Sequence, residues 1–162
     1  MVMTSLAGVS SLGPGRSLAM ADVIDAVVDW APDDRIDVLR SGFPAGVVAH
    51  LAGRMGWTKE RAIDALKLKR STVLRKIKEA RRLDTPDSER LMAVMDMIAQ
   101  VERMVTRSGD PAGFDAALWL AGWLDAPCPA LGGQRPSDYL DTNEGIQVVR
   151  GVLARMESGA YA

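Results

Sequence analysis

Arg70-Ser71-Thr72, followed by Arg75-Lys76 and Lys78, is the segment of this chain best equipped for chemistry. That chemistry is recognition of phosphates and base edges. Arginine pairs bidentately with guanine, while Ser, Thr and Lys serve bases or phosphates. The segment belongs to a wider basic run. Residues 59–82 hold Lys59, Arg61, Lys67, Lys69, Arg70, Arg75, Lys76, Lys78, Arg81 and Arg82 against Glu60, Asp64 and Glu79, a net +7. The residues before it sum to −2 and those after it to −6, so the overall charge of −1 hides a segregation. A protein needing only solubility would intersperse its signs. Half of all Lys and Arg gathered in 24 residues is the footprint of a phosphate-binding surface. The plainer alternative is a solvated basic face on a helical hairpin, and the periodicity below favours the nucleic-acid reading.

Other chemistries fail on inventory. His50 is the single histidine and sits in an apolar stretch near Val47 and Leu51, where a satisfied or surface histidine is expected rather than a ligand. Cys128 is the single cysteine, so there is no disulfide framework and a reducing compartment is expected. Without a second ligand nearby, a lone thiol is inert by default. Asp22, Asp25 and Asp29 recur at three and four, the spacing of a solvated helix face. No metal, cofactor or catalytic residue is expected, and nothing supports a Ser-His-Asp arrangement.

The chain of 162 residues has room for one compact domain or two small ones. Met1 to Arg16 is rich in Gly and Ser and has no basic region ahead of its apolar residues. It reads as a flexible tail and not as a signal peptide. The longest apolar run, Ala116 to Leu124, is far short of the roughly 20 residues a membrane helix needs. A cytoplasmic protein without a membrane partner is expected.

The pattern is helical throughout, with no sustained period-two alternation. Ser17 is a candidate N-cap for a helix over 17–29, with Met20, Val23, Ile24, Val27 and Val28 on one face. A short helix over 34–40 ends at Ser41-Gly42. Phe43-Pro44 opens the next, with Val47, Val48, Leu51 and Met55 inward and Gly56 closing it. Thr58 caps a helix carrying Ala62, Ile63 and Leu66. Residues 70–81 form another, with Val73, Ile77 and Ala80 on one stripe.

Two short helices joined by a three-to-four-residue turn make a helix-turn-helix. Here the first is Lys59–Leu66, the turn Lys67-Leu68-Lys69 and the second Arg70–Arg82. Leu66, Leu68, Val73 and Ile77 pack the pair, leaving Lys69, Arg70, Ser71, Thr72, Arg75, Lys76 and Lys78 as the candidate DNA-binding set. A recognition helix presents its N-terminal residues to base edges in the major groove.

Further on, Thr85 is a candidate N-cap followed by Pro86 at the first helical position. Leu91, Val94, Ile98, Val101 and Val105 then recur at three and four, flanked by Met92, Met95, Met97 and Met104. A methionine stripe of this kind is adaptable core or a dimer seam. Its size predicts a homodimer. Ser108-Gly109 stops this helix, and Asp110-Pro111 is expected to cap one carrying Phe114, Leu118, Ala121 and Leu124. Trp119 and Trp123 are read as core plugs ahead of a partner surface. Leu131-Gly132-Gly133 is a turn, Pro136 enters a short helix over Ser137–Leu140, and Thr142 caps a last helix to about Met156. Gly159 stops it, leaving Ala160-Tyr161-Ala162.

Trp123-Leu124, Pro129 to Gly133, Pro136, Leu140-Asp141-Thr142, Gly145, Val149, Leu153, Arg155-Met156, Gly159 and Tyr161-Ala162 together carry a family resemblance. Over residues 85–162 the chain resembles the C-terminal domain of the Xre/ParS/MbcA-type antitoxins, which neutralise RES-domain toxins. Leu68 to Lys78 is similar to the Xre-type recognition segment. It departs from that pattern at Lys67, where the turn usually has Gly, and at Lys69, where a Ser-type cap is usual; each departure costs about 1 kcal/mol at most. Cys128 stands where the family more often has Asn. The resemblance implies an all-α protein: a tail over 1–16, a helix-turn-helix DNA-binding and dimerisation region over 17–84, and a toxin-binding domain over 85–162. It implies an autorepressing antitoxin, not an enzyme, with operator DNA and a RES-domain toxin as partners, forming a homodimer within a hetero-oligomeric complex. The toxin would consume NAD or transfer ADP-ribose, and the tail would enter its active-site cleft. Gly132, Gly133, Arg155, Glu157, Gly159, Ala160, Tyr161 and Ala162 are the implied toxin contacts. The alternative is a free-standing helix-turn-helix regulator whose C-terminal domain dimerises or senses a small molecule.

Overall fold

A computed structural model describes residues 9–11 and 17–159. A small antiparallel hairpin, β1 (Val9–Ser11) with β2 (Ser17–Ala19), precedes eight α-helices among the described residues. Within the segment read as a tail, Val9–Ser11 is thus a paired strand. The rest of the fold is helical, as the periodicity predicts.

Helix α1 (Met20–Ala26) begins three residues later than expected. Ser17 lies in β2, Ala19 holds the N-cap position without a side-chain bond, and Val27–Asp29 tightens into a 3-10 turn. Helix α2 spans Pro32–Ser41, with Pro32 in the first turn where its missing N–H costs nothing. Phe43-Pro44 does not open the next helix. Phe43 instead accepts from the Leu83 N–H at 2.8 Å, and Ala45 donates to the Arg81 carbonyl at 2.9 Å, so this segment is extended and paired. The approach depends on Gly42, at φ +81, where a Cβ would lie 1.9 Å from the Leu83 oxygen. Helix α3 then runs Val47–Arg54 and buries Val47, Val48, Leu51 and Ala52.

Helix α6 (Thr85–Ser108) is the spine. Its cap is Asp84 rather than Thr85: the Asp84 carboxylate accepts from the Asp87 N–H at 3.1 Å. It buries Leu91, Met92, Val94, Met95, Met97, Ile98 and Val101 against neighbours from both halves of the chain. The core takes up the apolar stripe as far as Val101, while Met104 and Val105 at its end stay half-buried and line an open pocket with Met156. Side chains from Val23 to Leu153 form one continuous core around α6.

After α6 the chain loops through Gly109, at φ +125. Asp110 only turns this loop, accepting from Ala112 N–H at 2.9 Å. The cap of α7 (Ala116–Asp125) is Asp115, which accepts from Leu118 N–H at 2.9 Å. Consequently Phe114 precedes the helix and Leu118 points outward, both exposed. Trp119 and Trp123 stack at 6.1 Å and are half-buried, sealing the edge of the core rather than filling its centre. A 3-10 turn over Pro136–Tyr139 leads to α8 (Asn143–Glu157), capped by Thr142, which accepts from Gly145 N–H at 3.0 Å. Gly145 is required there, because a Cβ would lie 2.0 Å from the Tyr139 oxygen. Among the described residues no helix is long and apolar enough to cross a membrane.

Candidate functional site

Two exposed regions collect the residues singled out from the sequence, and α6 separates them. The first is the helix-turn-helix. Helix α4 (Lys59–Ala65) starts at Thr58, whose hydroxyl accepts from the Arg61 N–H at 3.1 Å. It ends in a paired-carbonyl closure: Lys67 N–H donates to Asp64 at 3.1 Å and Leu68 N–H to Ile63 at 2.9 Å. That closure needs a left-handed residue, and Lys67 supplies it at φ +54. This is the position where the family pattern has Gly. Lys69 caps α5 (Arg70–Lys78) without a side-chain bond, the second departure noted in the sequence.

Helix α5 stops at Lys78, short of the expected Arg82. Ala80 adopts φ +52, the Arg81 N–H returns to Lys76 at 2.8 Å, and Arg81 to Leu83 are drawn into the pairing with Phe43 to Ala45. Ala80 is therefore exposed and no part of the apolar stripe. Leu66, Leu68 and Val73 are buried, and Ile77 is half-buried, holding α5 on α4 and the core.

Of the candidate DNA contacts, Lys69, Arg70, Ser71, Arg75 and Lys78 are exposed, while Thr72 and Lys76 are half-buried. Lys69, Arg75 and Lys78 make no ion pair among the described residues. Arg70 is paired to Asp64 at 2.7 Å, with both side chains about half exposed. Such a pair is worth about 0–1 kcal/mol, so a phosphate or guanine can displace it. Lys76 leans toward the Asp87 carboxyl and helps offset its burial. Burial is the larger influence and, with Asp84 alongside, raises the Asp87 pKa above its ordinary value.

The second region lies around the C-terminal half of α8. Gly132 and Gly133 take φ +64 and +84 in a turn that closes on Cys128, whose carbonyl accepts from Gly133 N–H at 2.9 Å. Cys128 is buried with Leu131 against Val152 of α8. The turn is thus anchored beside the helix that carries Arg155 and Glu157. Arg155 is exposed, and Glu157 is held by Arg107 of α6 at 2.6 Å. Gly159, at φ +69, ends the helix with its N–H on Met156 at 3.3 Å. Arg155, Glu157 and Gly159 thus share the end of α8, and the Gly132-Gly133 turn is held beside Val152 of the same helix. Ala160, Tyr161 and Ala162 lie outside the described residues.

Several positioning residues escape a sequence reading. Arg90 of α6 donates to the carbonyls of Lys67 at 3.3 Å and Asp141 at 3.1 Å, tying the helix-turn-helix turn to the loop before α8. Lys67 reaches Asp138 at 3.8 Å across the same junction. The Arg135 guanidinium, bonded to Asp138, holds that carboxyl below its usual range. Arg61 of α4 pairs with Asp125 at the end of α7. Arg35 forks onto Asp96 at 2.8 and 3.0 Å, joining α2 to α6. Except for Arg135 and Asp138, these partners lie more than twenty residues apart, and no local spacing marks them. Gly145 alone left a trace, as a glycine in the first turn of a capped helix.

Comparison with known proteins finds two domain families along the chain. Residues 34–95 match the model of the antitoxin Xre-like helix-turn-helix domain. Residues 112–159 match the antitoxin Xre/MbcA/ParS C-terminal toxin-binding domain. The chain is 42% identical over 132 residues to the Prs ADP-ribosylating antitoxin of Sphingobium sp. (strain YBL2), covering 82% of this chain and 83% of that protein. With both domains in order along one helical body and a relative matched over most of its length, the protein belongs to the Xre/MbcA/ParS antitoxins, which are toxin-neutralising regulators and not enzymes.

Proposed function

We propose that this antitoxin neutralises a RES-domain toxin that degrades NAD or transfers ADP-ribose, and that residues 160–162 do so by filling the toxin's nucleotide cleft. The observation that carries this reading is that Arg155, Glu157 and Gly159 stand at the end of α8, directly before those residues, with the Gly132-Gly133 turn held on the same helix at Val152. A rigid helix anchored by Val149, Val152 and Leu153 gives a short segment a fixed point of departure. Tyr161 supplies the aromatic anchor that commonly dominates an interface. The name of the Sphingobium relative supports an ADP-ribosylating system.

The same protein would repress its own operon through α5, acting in the cytoplasm as a homodimer within a larger complex with toxin. A half-site reader gains from two-fold symmetry. Leu91 to Val101 are taken up by the core, so a seam on α6 would use its half-buried end at Met104 and Val105.

Truncation after Gly159 tests the occlusion. The expected product is a folded antitoxin that still binds toxin through the turn and the end of α8 but no longer protects. Cells expressing toxin with this version should stop growing. Growth equal to that with the full chain would mean that the body of the domain, not residues 160–162, inhibits.

A further inference from the structure

Residues after Arg82 are acidic overall, with twelve carboxylate side chains and only six cations. Three of those six cations, Arg103, Arg107 and Arg150, line one groove between α6 and α8. The groove has a volume of about 490 Å³ and is lined by Arg103, Arg107 and Arg150 with Gln100, Gln147 and Glu157. The Arg155 guanidinium lies beside Gly151, 3.8 Å from where a side chain there would begin. Gly151 and Ala154 form the floor, so no bulky side chain blocks the space between the helices. Arg107 is balanced by Glu157 at 2.6 Å, and Arg150 lies 3.8 Å from Asp96, which is already held by Arg35. Arg103 is exposed and makes no ion pair among the described residues. A groove with this surplus of positive charge, and with amide donors at its edges, suits carboxylates. Arginine forks onto them bidentately.

Two features select the kind of occupant. The groove follows Gln100–Arg107 on one side and Gln147–Glu157 on the other, about 10–15 Å at 1.5 Å per helical residue, and it is open along its length. That is the size of a peptide segment rather than of a small anion. It also lies at the far end of α6 from the DNA-reading helix. Lys76 of α5 acts on Asp87, which is twenty residues, or about 30 Å, from Arg107. A duplex docked on α5 is not in reach, whereas Gly159 is adjacent, since Glu157 lines the groove itself.

We infer that the α6–α8 groove is a docking site for an acidic surface segment of the toxin, separate from the cleft that residues 160–162 would enter. This rests on the reading that the C-terminal domain holds the toxin. The groove would supply affinity and orientation, and the tail would supply inhibition.

The test uses the full-length antitoxin and the RES-domain protein co-expressed from the adjoining reading frame, with Kd measured at several salt concentrations. Arg103→Glu should weaken binding at least ten-fold and flatten the salt dependence, leaving thermal unfolding and promoter binding unchanged. Arg103→Lys should keep most of the affinity. Wild-type binding with an unaltered Kd in the Arg103→Glu variant overturns the groove while leaving the toxin reading intact. No binding by the wild-type protein overturns both.

Discussion

At one end of α6 the cations of α5 stand on a single nine-residue helix, fixed by Leu66, Leu68 and Val73. Toward the other end, the proposed toxin face draws on α6 around Arg103 and Arg107 and on α8 around Arg150 to Gly159, with the Gly132-Gly133 turn held on α8 at Val152. The first face is a local object: its residues are neighbours in sequence, so their spacing already states which side they share. The second exists only after three distant segments pack. Yet the two are not independent bodies. Arg90 and the Lys67–Asp138 pair bridge them, and one core runs beneath both. Separable faces on an inseparable core is the arrangement that the following substitutions can break or sharpen.

The largest effect is expected in the shared core. Leu91 is fully buried at the middle of α6, and Leu91→Ala should cost about 2–5 kcal/mol. Because the core is continuous, thermal unfolding should remain a single transition at lower temperature, and both DNA and toxin binding should fall together on heating. Two resolved transitions in calorimetry would show that the faces belong to separate folding units.

Next comes a change confined to one face. Replacing Arg70 and Arg75 by Ala should weaken binding to the protein's own promoter by about 1–3 kcal/mol per base-reading side chain. Toxin neutralisation and unfolding temperature should hold. Titrations across salt concentration, with the mass of the complex followed by light scattering, give affinity, phosphate contacts and the two-fold stoichiometry in one series. Salt-independent binding by the wild-type chain would remove α5 as the reading element.

The smallest effect concerns the turn between α4 and α5. Lys67 pays for its left-handed backbone, at φ +54, with about 1–2 kcal/mol of strain. Lys67→Gly relieves this against a loss of about 0.5–1 kcal/mol in chain entropy, for a net gain of about 0.5–1 kcal/mol. Urea unfolding should show a higher midpoint. A lower one would mean that the lysine's contact with Asp138 at 3.8 Å outweighs the strain, and that the junction between the faces carries more than its geometry suggests.

Helix periodicity, the basic run and the capping residues Thr58 and Thr142 were legible because each is a relation between residues a few positions apart. The helix-turn-helix and the segment from Leu131 to Gly159 follow from the same kind of local pattern. The failures were also local in origin. Thr85 and Asp110 are as suitable for capping as Asp84 and Asp115, so composition could not choose between neighbours. The backbone chose, by which carboxylate faces a free N–H. Likewise α5 was read through to Arg82 because nothing near it signals a stop. The stop is imposed by Phe43 to Ala45, some forty residues earlier, which claim the backbone of Arg81 to Leu83. The methionine-flanked stripe of α6 looked wide enough for a second copy, since sequence gives the width of an apolar face but not how many neighbours will cover it. Tertiary packing covers it as far as Val101 with helices from both ends of the same chain and leaves Met104 and Val105 half-buried. What the sequence determined by itself was therefore the helices and the charge they carry. What only the tertiary structure decided was which distant arginines share a groove and which carboxylates answer them, because those pairings are distances in space that no spacing along the chain encodes.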